Sequence, residues 1–101
     1  MRTYEVAYIA DPELDEQALE TLEAKVVGWV EAAGGSVVKT DRWGRRRLAY
    51  PIRKRNEGVY VILFAQMPAK ANAALERDLR LSEQVLRHMI TLSEGAGASP
   101  A

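Results

Sequence analysis

Cysteine is absent from this sequence and histidine occurs once, as His88. The first absence excludes disulfides, thiolate metal sites and thiol nucleophiles, and is compatible with a reducing compartment. The second excludes paired imidazole ligands, and no serine lies near His88 in a nucleophile pattern. A lone histidine in an apolar stretch is expected to be packed rather than to act as a base. Long apolar runs are missing too, since none approaches the roughly 18 residues of a membrane span. The opening Met1-Arg2-Thr3-Tyr4-Glu5 enters a strand pattern at once, without the apolar core of a signal peptide. Gly34-Gly35 has neither the strand-loop-helix setting nor the following Lys of a phosphate loop. The expectation is a soluble cytoplasmic protein with no catalytic residue, no metal, no cofactor, no small-molecule substrate and no membrane partner.

Excess charge is also lacking, because 14 Lys and Arg balance 14 Asp and Glu. The distribution is uneven. Residues 42–55, beginning Arg42-Trp43-Gly44-Arg45-Arg46-Arg47, hold seven of the basic residues and no acid, whereas residues 11–31 hold seven acids against Lys25 alone. Clustered Lys and Arg displace counterions from phosphates and so bind polyanions without reading sequence. Trp43 and Tyr50 interleave the cluster, offering flat surfaces to a base or a partner side chain. From the charges alone, an ordinary solvated loop competes equally with an RNA-facing hairpin.

What is present is hydrophobic patterning over 101 residues, 48% of them hydrophobic, enough for one modest core. Tyr4, Val6, Tyr8 and Ala10 alternate, which predicts a strand over residues 2–10. Asp11-Pro12-Glu13 breaks it. Asp15 can cap a helix whose stripe is Leu19, Leu22, Val26, Val30 and Ala33, with Trp29 at the core edge and Gly34-Gly35 at the end. Residues 36–42 are β-prone and run into the basic stretch, where Pro51 suits an edge strand. Asn56-Glu57-Gly58 is a turn signal, and residues 59–67 form the most strand-like run. Pro68 suits a first helical position, and Ala71, Leu75 and Leu79 give a second helix over residues 69–81. Residues 85–92 read as a fourth strand with Leu86, His88, Ile90 and Leu92 facing inward. The folded domain is expected over residues 1–92, and residues 93–101 have nothing large to bury and read as a flexible tail.

The order βαββαβ predicts an α+β, ferredoxin-like fold: a four-stranded antiparallel sheet, order 2-3-1-4, with two helices on one face. The other face is open. If Val59, Val61, Leu63, Ala65 and Met67 face the helices, then Tyr60, Ile62 and Phe64 form an exposed patch, which marks a partner surface unless neighbouring side chains or a second copy cover it. Arg42, Arg45 and Arg47 on the edge strand also discourage unwanted pairing. The small phosphatases that share this topology need Arg and Asn in the loop where this chain has Asp11-Pro12, so nothing suggests catalysis.

Gly44-Arg45-Arg46-Arg47-Leu48-Ala49-Tyr50-Pro51-Ile52, followed by a basic turn and Gly58-Val59-Tyr60, closely resembles the signature of the bacterial small-subunit ribosomal protein six family. Met1-Arg2-x-Tyr4-Glu5-Val6, the Asp-Pro after the first strand and Met67-Pro68 extend the resemblance over nearly the whole chain. It implies a structural role on the central domain of small-subunit ribosomal RNA, bound together with small-subunit ribosomal protein eighteen. Arg45, Arg46, Arg47, Tyr50 and Arg53 fall on the signature, Arg2 and Tyr4 on the opening, and Arg87 on a basic position of strand four. Trp43 and Arg47 stand where aliphatic residues are commoner. The expected RNA contacts are therefore Arg2, Arg45, Arg46, Arg47, Arg53, Lys54 and Arg87, and the expected partner contacts Tyr4, Tyr50, Tyr60, Ile62 and Phe64. An alternative is a stand-alone binder of single-stranded RNA that stacks bases on Tyr60 and Phe64 of the open face. A homo-oligomeric scaffold is a third reading.

Overall fold

The computed structural model describes residues 2–93, and the expected tail beyond Ser93 lies outside them. The elements are β1 (Arg2–Ala10), α1 (Glu16–Ala32), β2 (Ser36–Ile52), β3 (Arg55–Met67), α2 (Ala71–Leu81) and β4 (Val85–Leu92). The strands form one antiparallel sheet in the order β2-β3-β1-β4, the ferredoxin-like plan, with β2 and β4 as edges.

Local chemistry sets the helix ends. Asp15 has an extended backbone and its carboxylate accepts from the Ala18 N–H at 2.8 Å, filling one of the first-turn donors. At the other end Gly34 takes φ +95°, and the Gly34 and Gly35 N–H groups donate to the Glu31 and Val30 carbonyls at 3.0 and 2.9 Å. That is the Schellman pattern, which a residue with a Cβ reaches only with strain. The second helix starts later than expected. Pro68 opens a turn instead, its carbonyl accepting from the Ala71 N–H at 2.9 Å.

One core lies between the helices and a single face of the sheet, built from Leu22, Val26 and Val30 of α1, Leu75 and Leu79 of α2, and Leu63 and Met67 of β3. Tyr4, Val6 and Tyr8 complete it from β1. Burying a side chain such as Leu63 contributes roughly 1.5–3 kcal/mol. As expected, β3 turns Val61, Leu63, Ala65 and Met67 inward and leaves Tyr60, Ile62 and Phe64 half-buried on the other face.

Three expectations are corrected. Tyr4 is not at a partner surface, because it shares the parity of Val6 and Tyr8 and is 6% exposed under the helices. The β2–β3 turn falls at Arg53-Lys54, and Asn56-Glu57-Gly58 lies within β3. Gly58 serves close approach instead, since a Cβ there would sit 2.2 Å from Cγ2 of Ile9 on β1. Finally, a bulge opposite Ile9 and Ala10 puts Val85, not Leu86, into the core, after which His88, Ile90 and Leu92 keep the expected parity opposite Tyr8, Val6 and Tyr4.

Candidate functional site

Strand alternation sorts the basic run between two faces. Arg42 pairs with Val61, Arg45 with Val59 and Arg47 with Glu57, the parity of the helix side, whereas Arg46 pairs with Gly58 on the open side. On the helix side the cations meet acids before and within α1 and Glu57 of β3. Arg42 Nε donates to Glu23 Oε1 at 2.7 Å, with Glu16 Oε2 3.6 Å from its Nη1. That hydrogen bond, with the Glu23 charge, holds the guanidinium above its ordinary pKa. Beneath it, burial first and the Glu23 charge second push the Tyr8 phenol well above the usual tyrosine range, with Arg42 opposing. Arg45 donates to Glu57 Oε1 at 3.3 Å and to the Pro12 carbonyl at 3.1 Å. Arg55, at the start of β3, donates to Glu13 Oε2 at 2.8 Å and lies 3.4 Å from Asp11 Oδ1.

The open side is arranged differently. Trp43 is the extra residue where the β2–β3 register shifts between Arg42 and Gly44, and its ring stacks on Tyr60 at 6.3 Å and 13°. The Arg46 guanidinium lies 5.7 Å over Trp43, and the Lys39 ammonium 5.7 Å over Phe64. Between this wall and β4 runs a groove of about 350 Å³ with Ala7, Ile9 and Ile62 on its floor and Arg87 and Met89 opposite. Trp43 is 49% exposed and Met89 60%.

The hairpin tip is built from an unusual turn. Arg53 and Lys54 both adopt left-handed backbone, φ 50° and 67°, where a two-residue hairpin loop favours Asn and Gly. Just before it, residues 48–51 face only Asn56, so β2 bows away from the ladder. The bowed segment reaches β4: Arg53 Nη1 donates to the Glu83 carbonyl at 3.2 Å, and Arg87 donates to the Tyr50 hydroxyl with its guanidinium 5.8 Å from the ring centre. Leu48 and Leu86 are each 8% exposed yet stand outside the main core.

The expected site residues are therefore not one patch. Arg46 on the open side, Arg47 on the helix-side parity and Lys54 in the turn have no acidic partner among the described residues. Arg45 is clamped on the helix side, Arg53 and Arg87 hold the tip to β4, and Arg2, paired with Met67, is at the opposite end of the sheet. Tyr60, Ile62 and Phe64 line the open face, and Tyr50 stands beside it, 56% exposed. Met89 and Lys39 were not singled out from the sequence. Met89 was legible as the outward neighbour of His88 and Ile90, whereas the reach of Lys39 over Phe64 depends on a register shift. His88 is packed between β4 and α2, its Nε2 3.5 Å from Glu76 Oε2. Among the described residues there is no cluster of His, Asp and Glu that could hold a metal ion, and no helix is long and apolar enough to cross a membrane.

The fold, the groove and the sorted cations define a ferredoxin-like protein that presents an open sheet face beside a basic hairpin. The family model described as ribosomal protein S6 matches residues 3–91. Small ribosomal subunit protein bS6 of Carboxydothermus hydrogenoformans is 44% identical over 90 residues, covering 89% of this chain and 94% of that protein. Its counterpart in Salinispora arenicola is 46% identical over 94 residues, covering 93% and 98%. The crystal structure of 30S ribosomal protein S6 from Thermotoga maritima superposes with a TM-score of 0.89 at 28% identity, over 95% of this chain and 91% of that one. The chain belongs to the ribosomal protein S6 family. It is accordingly a structural protein of the small ribosomal subunit, not an enzyme, and its place is the cytoplasmic ribosome.

Proposed function

We infer that this chain binds the central domain of small-subunit ribosomal RNA as a pair with small-subunit ribosomal protein eighteen, supporting subunit assembly and translation. The observation that carries this reading is the sorting of charge on one hairpin. Arg42, Arg45 and Arg55 are already paired with acids of their own chain, while Arg46, Arg47 and Lys54 have no acidic partner among the described residues. Exposed cations without an acidic partner are the ones that displace counterions from phosphates. The groove walled by Trp43, Tyr60 and Met89 then serves the protein partner, with Ile62, Phe64 and Tyr50 nearby.

The stand-alone RNA reading needs Tyr60 and Phe64 free to stack bases. Trp43 already lies on Tyr60 and Lys39 over Phe64, which disfavours it. The test is affinity for a central-domain RNA fragment with and without protein eighteen. Binding by this chain alone is expected to be weak, to tighten when the partner is added, and to fall as salt rises. An affinity indifferent to the partner would overturn the paired reading.

A further inference from the structure

Two of the cations that the family resemblance puts among RNA contacts, Arg53 and Arg87, are engaged within the chain. Arg87 comes from β4, the edge strand separated from β2 by both β3 and β1. It nevertheless bonds the Tyr50 hydroxyl of β2 and lies against the face of its ring. Arg53, in the turn, donates to the Glu83 carbonyl immediately before β4. Both bonds bridge the same gap, from the bowed hairpin tip to the start of β4.

The backbone makes the bridge possible. Between the Arg47–Glu57 and Ile52–Arg55 pairs, residues 48–51 have only Asn56 opposite them, so this segment lacks a regular ladder to hold it. Left to itself, such a segment with a left-handed two-residue turn would sample many positions. The side chains supply what the ladder does not. Leu48, beside Gly58, and Leu86, which the β4 bulge turns away from the core, are both buried, so the tip also rests on apolar contacts.

We propose that Arg87 and Arg53 are positioning residues: they fasten the hairpin tip to β4, and thereby fix where Lys54 stands when RNA is bound, whereas Arg46 and Arg47 are already held by the β2–β3 ladder. The proposal rests on the RNA-binding reading for its effect on affinity, but the fastening itself is a property of the free protein. A phosphate contact and a positioning contact differ in one measurable respect. Losing the former lowers the dependence of log K on log salt by about 0.9 per contact on duplex, or about 0.7 on single strands. Losing the latter lowers affinity and leaves that slope alone.

The experiment uses the full chain with protein eighteen and a central-domain RNA fragment, and compares Arg87→Met, Tyr50→Leu and Arg46→Ala. Tyr50→Leu breaks the same fastening without altering charge; because Tyr50 also stands near the partner groove, its RNA affinity is compared at saturating protein eighteen and its amide exchange is read in the free protein. Arg87→Met and Tyr50→Leu should weaken RNA binding at an unchanged salt slope, whereas Arg46→Ala should reduce the slope. In the free protein, amide exchange over residues 48–55 should be roughly two- to tenfold faster in Arg87→Met and Tyr50→Leu, the range expected for one modest hydrogen bond, and unchanged in Arg46→Ala. A reduced slope for Arg87→Met, or unaltered exchange at the tip in either fastening variant, would overturn the proposal. If the wild-type pair does not bind the fragment at all, the RNA-binding reading falls, and the exchange measurement alone still decides whether the tip is fastened.

Discussion

Two sides of one hairpin carry the same residue type to opposite effect. Toward the helices, Arg42, Arg45 and Arg55 meet Glu23, Glu57, Glu13 and Asp11, and their charge is satisfied at home. Arg46 on the open face, Arg47 further along β2 and Lys54 in the turn meet an aromatic ring or solvent instead, with no acidic partner among the described residues. Counting arginines along β2 therefore overstates the surface available to RNA. Asp11 and Glu13 before α1 and Glu16 and Glu23 within it pair with Arg42 and Arg55, and Glu57 of β3 pairs with Arg45. Each of these exposed pairs contributes only about 0–1 kcal/mol to stability. Their larger consequence is to decide which cations remain uncommitted.

The same contrast holds between neighbours on β3, and there the expected effects are largest. Leu63 faces the core with no exposure and Ile62 faces the groove. Leu63→Ala should cost about 2–5 kcal/mol in chemical denaturation, through lost burial and the cavity left behind. Ile62→Ala should cost a fraction of that and weaken binding of protein eighteen instead; equal stability losses would show that the open face is structurally as important as the core.

Next in size is an alkaline effect confined to the helix side. Tyr8 stays protonated in the folded chain to a pH well above the usual tyrosine range. In the unfolded chain it ionises near pH 10, so above that pH the unfolded state binds fewer protons and stability falls as pH rises. The slope should approach 1.4 kcal/mol per pH unit for this one group, and Tyr8→Phe should remove that part of it. A Tyr8→Phe profile identical to wild type between pH 9 and 11, a window of about one unit either side of the free value, would contradict the assignment.

The smallest stability change concerns the turn, and it has the opposite sign. Lys54 holds a left-handed conformation that costs a residue with a Cβ about 1–2 kcal/mol. Lys54→Gly should therefore raise stability by up to about 1 kcal/mol while lowering the RNA salt slope by up to about 0.9. Gain in one and loss in the other would mark a turn whose composition serves binding at the expense of folding. A gain in stability with an unaltered slope would remove Lys54 from the interface.

These details also show why the fold was readable and the site only partly so. The helix stripes, the Asp15 cap, Gly34-Gly35 and the alternation of β1 and β3 are local patterns, and local patterns carried the topology and most of the core. Gly58 misled because glycine answers two demands, a turn or a close approach, and only the position of Ile9 on another strand distinguishes them. The true turn gave no signal because Arg53 and Lys54 are poor turn formers. The family resemblance points Tyr4 toward a partner, whereas its alternation with Val6 and Tyr8 points inward, and the local pattern prevails. The pairing of each arginine depended on strand register and on the reach of α1, neither of which is written in sequence neighbours.

The most direct measurement compares two triple variants in salt-dependent binding to the central-domain RNA fragment with protein eighteen present: Arg46, Arg47 and Lys54 all changed to Ala, and Arg42, Arg45 and Arg55 all changed to Ala. The first variant, which removes the cations without acidic partners, should lose up to about 2–3 from the slope of log K against log salt, at 0.7–0.9 for each phosphate contact. The helix-side variant, corrected for any loss of folded protein, should keep the wild-type slope. Equal losses from both variants would contradict the division of the hairpin into committed and uncommitted charge.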